Sequence, residues 1–245
     1  MKKLYYDLHI HSCLSPCGDD DNTPNNIAGM AHLCGLNIVA LTDHNTSKNC
    51  PAFSKAAAKY GIIPIAGMEL TTSEDIHLVC LFESLDDAMR FDAYIDENRF
   101  KIKNKPEFFG RQTVLDENDE PIYEVDALLI NATTISISDA YEVVRSFGGI
   151  CYPAHIDRES NGVIAVLGSL PTDAGFSLYE LNDAENIDEY SRLYNIATDR
   201  FIVSSDAHRL TDMRDNENYF EFEDELCDEA SVRRRLFEIL RRNEE

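Results

Sequence analysis

Short apolar runs alternate with amphipathic stretches along most of the chain, and their two periods separate strands from helices. Strands are expected at residues 4–10, 37–42, 62–66, 77–82, 149–153, 177–181, 201–204 and 219–222. Helices fall between them at 24–34, 51–60, 85–97, 138–147, 187–197 and 228–242. Local signals sharpen several ends. Thr23 before Pro24 reads as an N-cap with proline at the first helical position, and Gly35 follows the last turn. Ser84 with Asp86 and Asp87 resembles a capping box, while Gly61 and Gly148 are C-terminal stops. Short, buried-looking strands separated by helices predict parallel pairing through crossover helices. Segment 99–125 breaks that rhythm: it is polar, carries Pro106, Gly110 and Pro121, and reads as an excursion or lid. The remainder reads as one α/β domain over residues 1–245, a length that suits an α/β barrel of about 250 residues.

The histidines fall in a telling place on this pattern. There are seven, and six of them sit at or beside a strand end. His9 and His11 close the first strand, two apart and therefore on one face. His44 follows the second strand, His77 opens the fourth, His155 follows PA at 153–154, and His208 forms a pair with Asp206. Glu69 follows the third strand, and His32, inside a helix, is read as structural. Carboxyl ends of parallel strands gather around one crevice, so these distant residues are expected to converge there. Mixed imidazole and carboxylate ligands suit Zn²⁺, Mn²⁺ or Fe²⁺ and can hold more than one ion.

DLHIHS at 7–12, LTDHN at 41–45, GMEL at 67–70, His77, PAH at 153–155 and SSDAH at 204–208 together resemble the PHP (polymerase and histidinol phosphatase) metal-dependent phosphoesterases. The resemblance spans nearly the whole chain in the family's order. It implies a distorted (β/α)7 barrel with two or three divalent ions at the carboxyl ends of its strands. By the same resemblance His9, His11, Glu69 and Asp206 hold one metal, and His44 with His208 a second. Glu69 bridges to a third, completed by His77 and His155. One departure stands out. The family usually supplies a further ligand soon after the HxH, and here SPCG at 15–18 places Cys17 at that point. A thiolate suits zinc or iron better than Mn²⁺, and Asp19, Asp20 and Asp21 are competing ligands.

A metal cluster activates water as hydroxide and neutralises phosphoryl charge, so no covalent nucleophile is needed, and no GxSxG element or P-loop competes. Arg158 is expected to bind a phosphate oxygen, with Arg209 a second candidate and Arg111 a weaker third. Asp7 and Asp43 are expected to orient ligating histidines at the reaction centre.

Composition then narrows the partners. The formal net charge of −23 argues against long nucleic acid and anionic membranes, which need clustered Lys and Arg. A phosphorylated small molecule or nucleotide is the expected substrate. A nuclease acting on short oligonucleotides is the alternative within the same fold, and a non-catalytic metal-stabilised module the alternative outside it. No apolar run approaches the roughly 20 residues of a membrane span, and the start lacks a signal-peptide core. Seven scattered cysteines, with no CxxC pair, read as reduced thiols in a cytoplasmic protein. No segment specifies an oligomeric state; the basic helix at 233–242 reads as solvated.

Overall fold

The computed structural model describes residues 1–223 and 228–241. Cys227 and Arg242, expected above as a reduced thiol and a helix end, lie outside the described residues. In chain order the first half holds β1 (Lys2–Ile10), α1 (Pro24–Leu33), β2 (Ile38–Leu41), α2 (Cys50–Tyr60), β3 (Ile63–Thr71), β4 (His77–Phe82) and α3 (Leu85–Asn98). An excursion follows with α4 (Pro106–Phe109), β5 (Thr113–Leu115) and β6 (Pro121–Glu124). The second half holds α5 (Ile137–Ser146), β7 (Ile150–Pro153), α6 (Val163–Leu167), β8 (Tyr179–Leu181), α7 (Ile187–Tyr194), β9 (Phe201–Val203), β10 (Tyr219–Phe222) and α8 (Glu229–Leu240).

The helix ends follow the expected chemistry. Thr23, Ser84, Ser136 and Asp228 each accept a backbone N–H of their own first turn. Gly61 closes α2 at φ 69°, in the left-handed region that glycine adopts without penalty. Helix α7 stops at Tyr194, short of the expected 197, because Asn195 turns left-handed at φ 54°.

The main sheet runs β10-β1-β2-β3-β4-β7. Strands β1, β2 and β3 are parallel, as expected. Strand β4 is antiparallel to both β3 and β7, which corrects the all-parallel expectation. Only Thr72–Ile76 separates β3 from β4, and a tight turn closed by Thr72 and Ile76 leaves no room for a crossover of a dozen residues. Pairing with β4 also carries β3 on to Thr71, five residues past its expected end. The parallel β8–β9 pair bridges the gap between β7 and β1. Ile156 N–H donates to Glu180 O on one side, and Ile10 bridges Ala207 on the other. Seven strands thus curl around a common interior, a distorted α/β barrel.

That interior is apolar below and polar above. Leu8, Ile65, Val79, Leu81, Tyr152 and Ile202 fill it, and Leu236 and Phe237 of α8 plug its lower end. Helix α8 is therefore not merely solvated: its apolar face closes the barrel and its charges face out. A second cluster between the sheet and α1, α2, α3 and α5 takes the alternate positions, including Ile10, Leu41, Met68 and Phe82.

Strand β1 changes parity midway. Asp7 pairs with Val39 and Ile10 with Leu41, so β1 carries one extra residue in that interval, a β-bulge. Up to and into it Leu4, Tyr6 and Leu8 face the interior; at its end Ile10 faces the helices. His9 and His11, flanking Ile10, consequently point into the barrel above Leu8.

Candidate metal centre

The upper interior gathers side chains from seven strand ends around one carboxylate. Glu69, on the inner face of β3, has five imidazole nitrogens about it. His44 Nδ1 and His77 Nδ1 each lie at 2.9 Å, His155 Nε2 at 3.2 Å, and His9 Nε2 and His11 Nε2 each at 3.4 Å. Asp206 completes the first group, 3.0 Å from His11 Nε2 and 3.3 Å from His9 Nε2. Three sets of ligand atoms fall within the span of one ion: His9–His11–Glu69–Asp206, His44–Glu69–His77, and His11–His44–His208. Backbone strain accompanies this convergence. Asn45, His155 and Asp206 all hold left-handed φ values, of 52°, 31° and 52°.

Whether these residues fit cations is decided by their unmet valences. His44 Nδ1 is buried without a hydrogen bond although it lies 2.9 Å from a Glu69 oxygen. Glu69 Oε2 makes no hydrogen bond although it is buried and two imidazoles are near. Buried carboxylates and imidazoles left this way are costly without a cation, and the set fits divalent metal.

Charge has redistributed accordingly. Burial pushes the Glu69 carboxyl up, but His77, His9 and His44 outweigh it and hold Glu69 well below the usual range. Burial opposes a charge on His9, yet Glu180, Asp206 and Glu69 raise it well above the ordinary imidazole value. His11 moves the other way, lowered by burial and by His208 and His44. Burial and nearby Glu69 push the Cys17 thiol up to about 12.

Each expected residue has a definite place. Cys17, Asp19, Asp20 and Asp21 are all exposed and none joins the three ligand groups among the described residues, but Cys17 lines the cavity with its Sγ 3.1 Å from His44 Nε2, and the aspartates do not line it. Arg158 reaches over the site, donating to Asp206 Oδ2 and, at 3.2 Å, to Asn182 Oδ1. Arg209 is exposed and does not line the cavity; Arg111 is exposed on the excursion, 4.0 Å from Glu124. Asp43 does not line it either. Its oxygens are taken by Ser12 N–H, Ser12 Oγ and Ser15 Oγ, all at 2.7 Å, so it anchors the turn leading to Cys17. Asp7 accepts the backbone N–H of His9 and Ser205 rather than an imidazole.

The groups that do orient the first histidines were not anticipated. Glu180 Oε1 lies 2.8 Å from His9 Nδ1 and accepts the backbone N–H of His155, and Ser15 Oγ lies 3.0 Å from His11 Nδ1. Such partners fix which ring nitrogen faces the metal. The legible signal for Glu180 is a lone carboxylate on the inner parity of an apolar strand, LYEL at 178–181.

The resulting cavity is about 200 Å³, walled by Cys17, Ile130, His155, Arg158 and His208. A broader surface groove of about 620 Å³ beside Asn182, Glu185, Arg214 and Glu217 contains none of the clustered ligands.

A family model described as the PHP domain matches residues 7–138. A 5′-3′ exoribonuclease of Haemophilus influenzae is 37% identical over 79 residues, which is 31% of this chain and 28% of that protein. An uncharacterised protein of Methanocaldococcus jannaschii is 34% identical over 76 residues, 28% of this chain and 44% of that protein. The matches thus span less than half the length of these relatives. Among solved structures, an amidohydrolase from Chromobacterium violaceum superposes with a TM-score of 0.61 at 18% identity, over 94% of this chain and 96% of that one.

Proposed function

The chain belongs to the PHP domain family, and from that premise we propose that it hydrolyses a phosphate monoester, the reacting phosphoryl group sitting between Glu69 and Arg158. The observation that carries this reading is the ring of five imidazoles and Asp206 around Glu69. In this assignment His9, His11, Glu69 and Asp206 take one ion, His44, His208 and Cys17 a second, and Glu69, His77 and His155 a third. Bound divalent ions supply positive charge for the phosphoryl oxygens and acidity for the attacking water. Water adds to phosphorus, the ester bond breaks, and an alcohol and phosphate leave.

The chain's own groups do the rest. Arg158 can redirect its guanidinium from Asp206 to a phosphoryl oxygen once that carboxylate is engaged by metal. Asp43 and Ser15 hold the Cys17 turn in place, and Glu180 holds His9. The cavity of about 200 Å³ is smaller than the roughly 300–1,000 Å³ of pockets that enclose a whole ligand. It therefore takes a phosphoryl group and a small neighbour, with the remainder of the substrate on the rim. A metal-stabilised structural module needs one closed ligand shell, whereas here overlapping ligand groups open onto a cavity that Arg158 also lines.

The test is phosphate release from phosphorylated metabolites, nucleotides and short oligonucleotides, with added Mn²⁺ or Zn²⁺ and a chelator control. Chelator-sensitive release from monoesters supports the reading. Cleavage of internal diester bonds with monoesters untouched replaces it with a phosphodiesterase, and silence from folded, metal-loaded protein overturns both.

A further inference from the structure

Net charge conceals one cationic surface. The chain has 22 Lys and Arg against 45 Asp and Glu, yet residues 100–112 carry Lys101, Lys103, Lys105 and Arg111 against Glu107 alone. All four cations are exposed. The three lysines make no ion pair among the described residues, and Arg111 has only Glu124 at 4.0 Å. Interleaved with them stand aromatic rings in solvent: Phe100 is 51% exposed, Phe108 76% and Phe109 44%. Tyr123, on the neighbouring hairpin, is 49% exposed. Lone exposed rings are ordinary, but this many on a short segment among unpaired cations needs a partner. The acids beside it are Glu107, Glu124 and Asp126; the hairpin turn adds Asp116, Glu117, Asp119 and Glu120, of which Glu117 pairs with Lys55 and Asp119 accepts from Thr23 and Asn25.

This arm is fastened to the catalytic rim. Lys103 bridges Ala127, and Ile102 O accepts the N–H of Leu128, so the arm lies against the return leg at 127–133. That leg sends Ile130 into the cavity wall and is clamped by Asn45, whose Nδ2 donates to Leu129 O at 2.7 Å and Asn131 O at 3.0 Å. Asn45 follows His44 directly. At the arm's far end Gly110 presses on the turn before Cys17: a Cβ there would stand 2.8 Å from Pro16 O. Cations and rings are thus held beside a cavity too small for more than the end of a substrate.

We propose that the Phe100–Arg111 arm binds a single-stranded oligonucleotide, its lysines on backbone phosphates and its phenylalanines under bases, so that the strand's phosphorylated end enters the metal pocket. A flexible single strand presents both phosphates and unstacked base faces, the pair of features that alternating Lys and Phe match. The proposal rests on the phosphoester reading of the pocket and specifies its substrate.

Fluorescence anisotropy of a labelled ten-nucleotide single strand on the Mn²⁺-loaded protein tests it, with probe integrity checked on a gel. The Lys101→Gln/Lys103→Gln/Lys105→Gln variant should bind at least about tenfold more weakly. Its log–log salt slope should fall by about 2, at roughly 0.7 per lost phosphate contact. Phe108→Ala/Phe109→Ala should also lose about tenfold or more, with much less change in salt slope. Both variants should hydrolyse a small chromogenic phosphate ester like the parent. Equal affinity in variants and parent overturns the proposal, as does a duplex bound as tightly as the single strand. Binding of anionic vesicles without the oligonucleotide assigns the arm to a membrane, and loss of binding through a changed oligomeric state assigns it to a second copy; each overturns it. Failure of the parent on the small ester instead overturns the reading of the pocket.

Discussion

Arg158 is the residue whose role is most readily separated from the metal ligands. Replacing it with Ala should lower kcat/KM by about 10²- to 10³-fold, the range for removing one donor to a charged transition state, with little loss of bound metal. Metal analysis beside the kinetics checks this. Glu180→Gln should act through His9 instead, weakening metal binding by about 10- to 100-fold, as loss of a ring-orienting carboxylate does. Competition with a chromogenic chelator reads that change. Proton counting gives a third test. His9 is raised well above the ordinary imidazole value in the metal-free chain, where Glu180, Asp206 and Glu69 favour its proton, so a metal ion at that ring competes with a proton. Loading should therefore release protons, and affinity should rise with pH until His9 titrates. A thiolate from Cys17, whose thiol is pushed up to about 12, adds a further proton. Calorimetry in buffers of different ionisation enthalpy measures the count. The histidines were legible because a lone His at a strand end is unremarkable while six are not. Glu180 left only a faint signal, one inward acid in LYEL with no paired motif, and Asp43 was misplaced because its neighbours, not its spacing, commit its oxygens to Ser12 and Ser15.

At the level of elements, most strands and helices stand close to where periodicity and end signals put them, since Pro24, Ser84 and Gly61 mark ends by local stereochemistry. Strand direction was not legible. The turn 72–76 is polar like any connection, and only its length betrays that no helix fits. The β1 bulge was equally hidden. Two histidines two apart must share a face, but which face depends on an extra residue that leaves no compositional trace. The same sheet explains Gly67. A Cβ at that position would approach Cys80 O to 2.5 Å and Leu81 Cδ2 to 3.0 Å, so β3 and β4 close up under Glu69 only without a side chain there. Gly67→Ala should destabilise the metal-free chain by about 1–3 kcal/mol, as overpacking a tight site does. Urea unfolding gives the value, and an unchanged midpoint would show that the strands can part at no cost.

On the scale of the whole molecule, charge and closure both depart from what averages suggest. The total of −23 argued against nucleic acid, but partners meet a surface patch and not a sum. The expected exclusion of long nucleic acid therefore loses its force at residues 100–112. No helix among the described residues is long and apolar enough to cross a membrane. Closure of the barrel falls to α8, where Leu236 and Phe237 are fully buried against the interior cluster. Phe237→Ala should cost about 3–5 kcal/mol, the usual range for emptying a large buried site. Added metal should recover part of that loss, because an ion that binds only the folded chain stabilises it by mass action. Melting curves with and without Mn²⁺ check both statements.

The joining of Ile10 to Ala207, beside which His9 and His11 meet Asp206, has a consequence in time. A ribosome adding about 5–20 residues each second needs roughly 10–40 s to travel from the first of these ligands to the last. For that interval the histidines of β1 exist without their carboxylate. The four-ligand site is a late event in the life of each nascent chain, and an ion captured there seals a seam already drawn together by the strands.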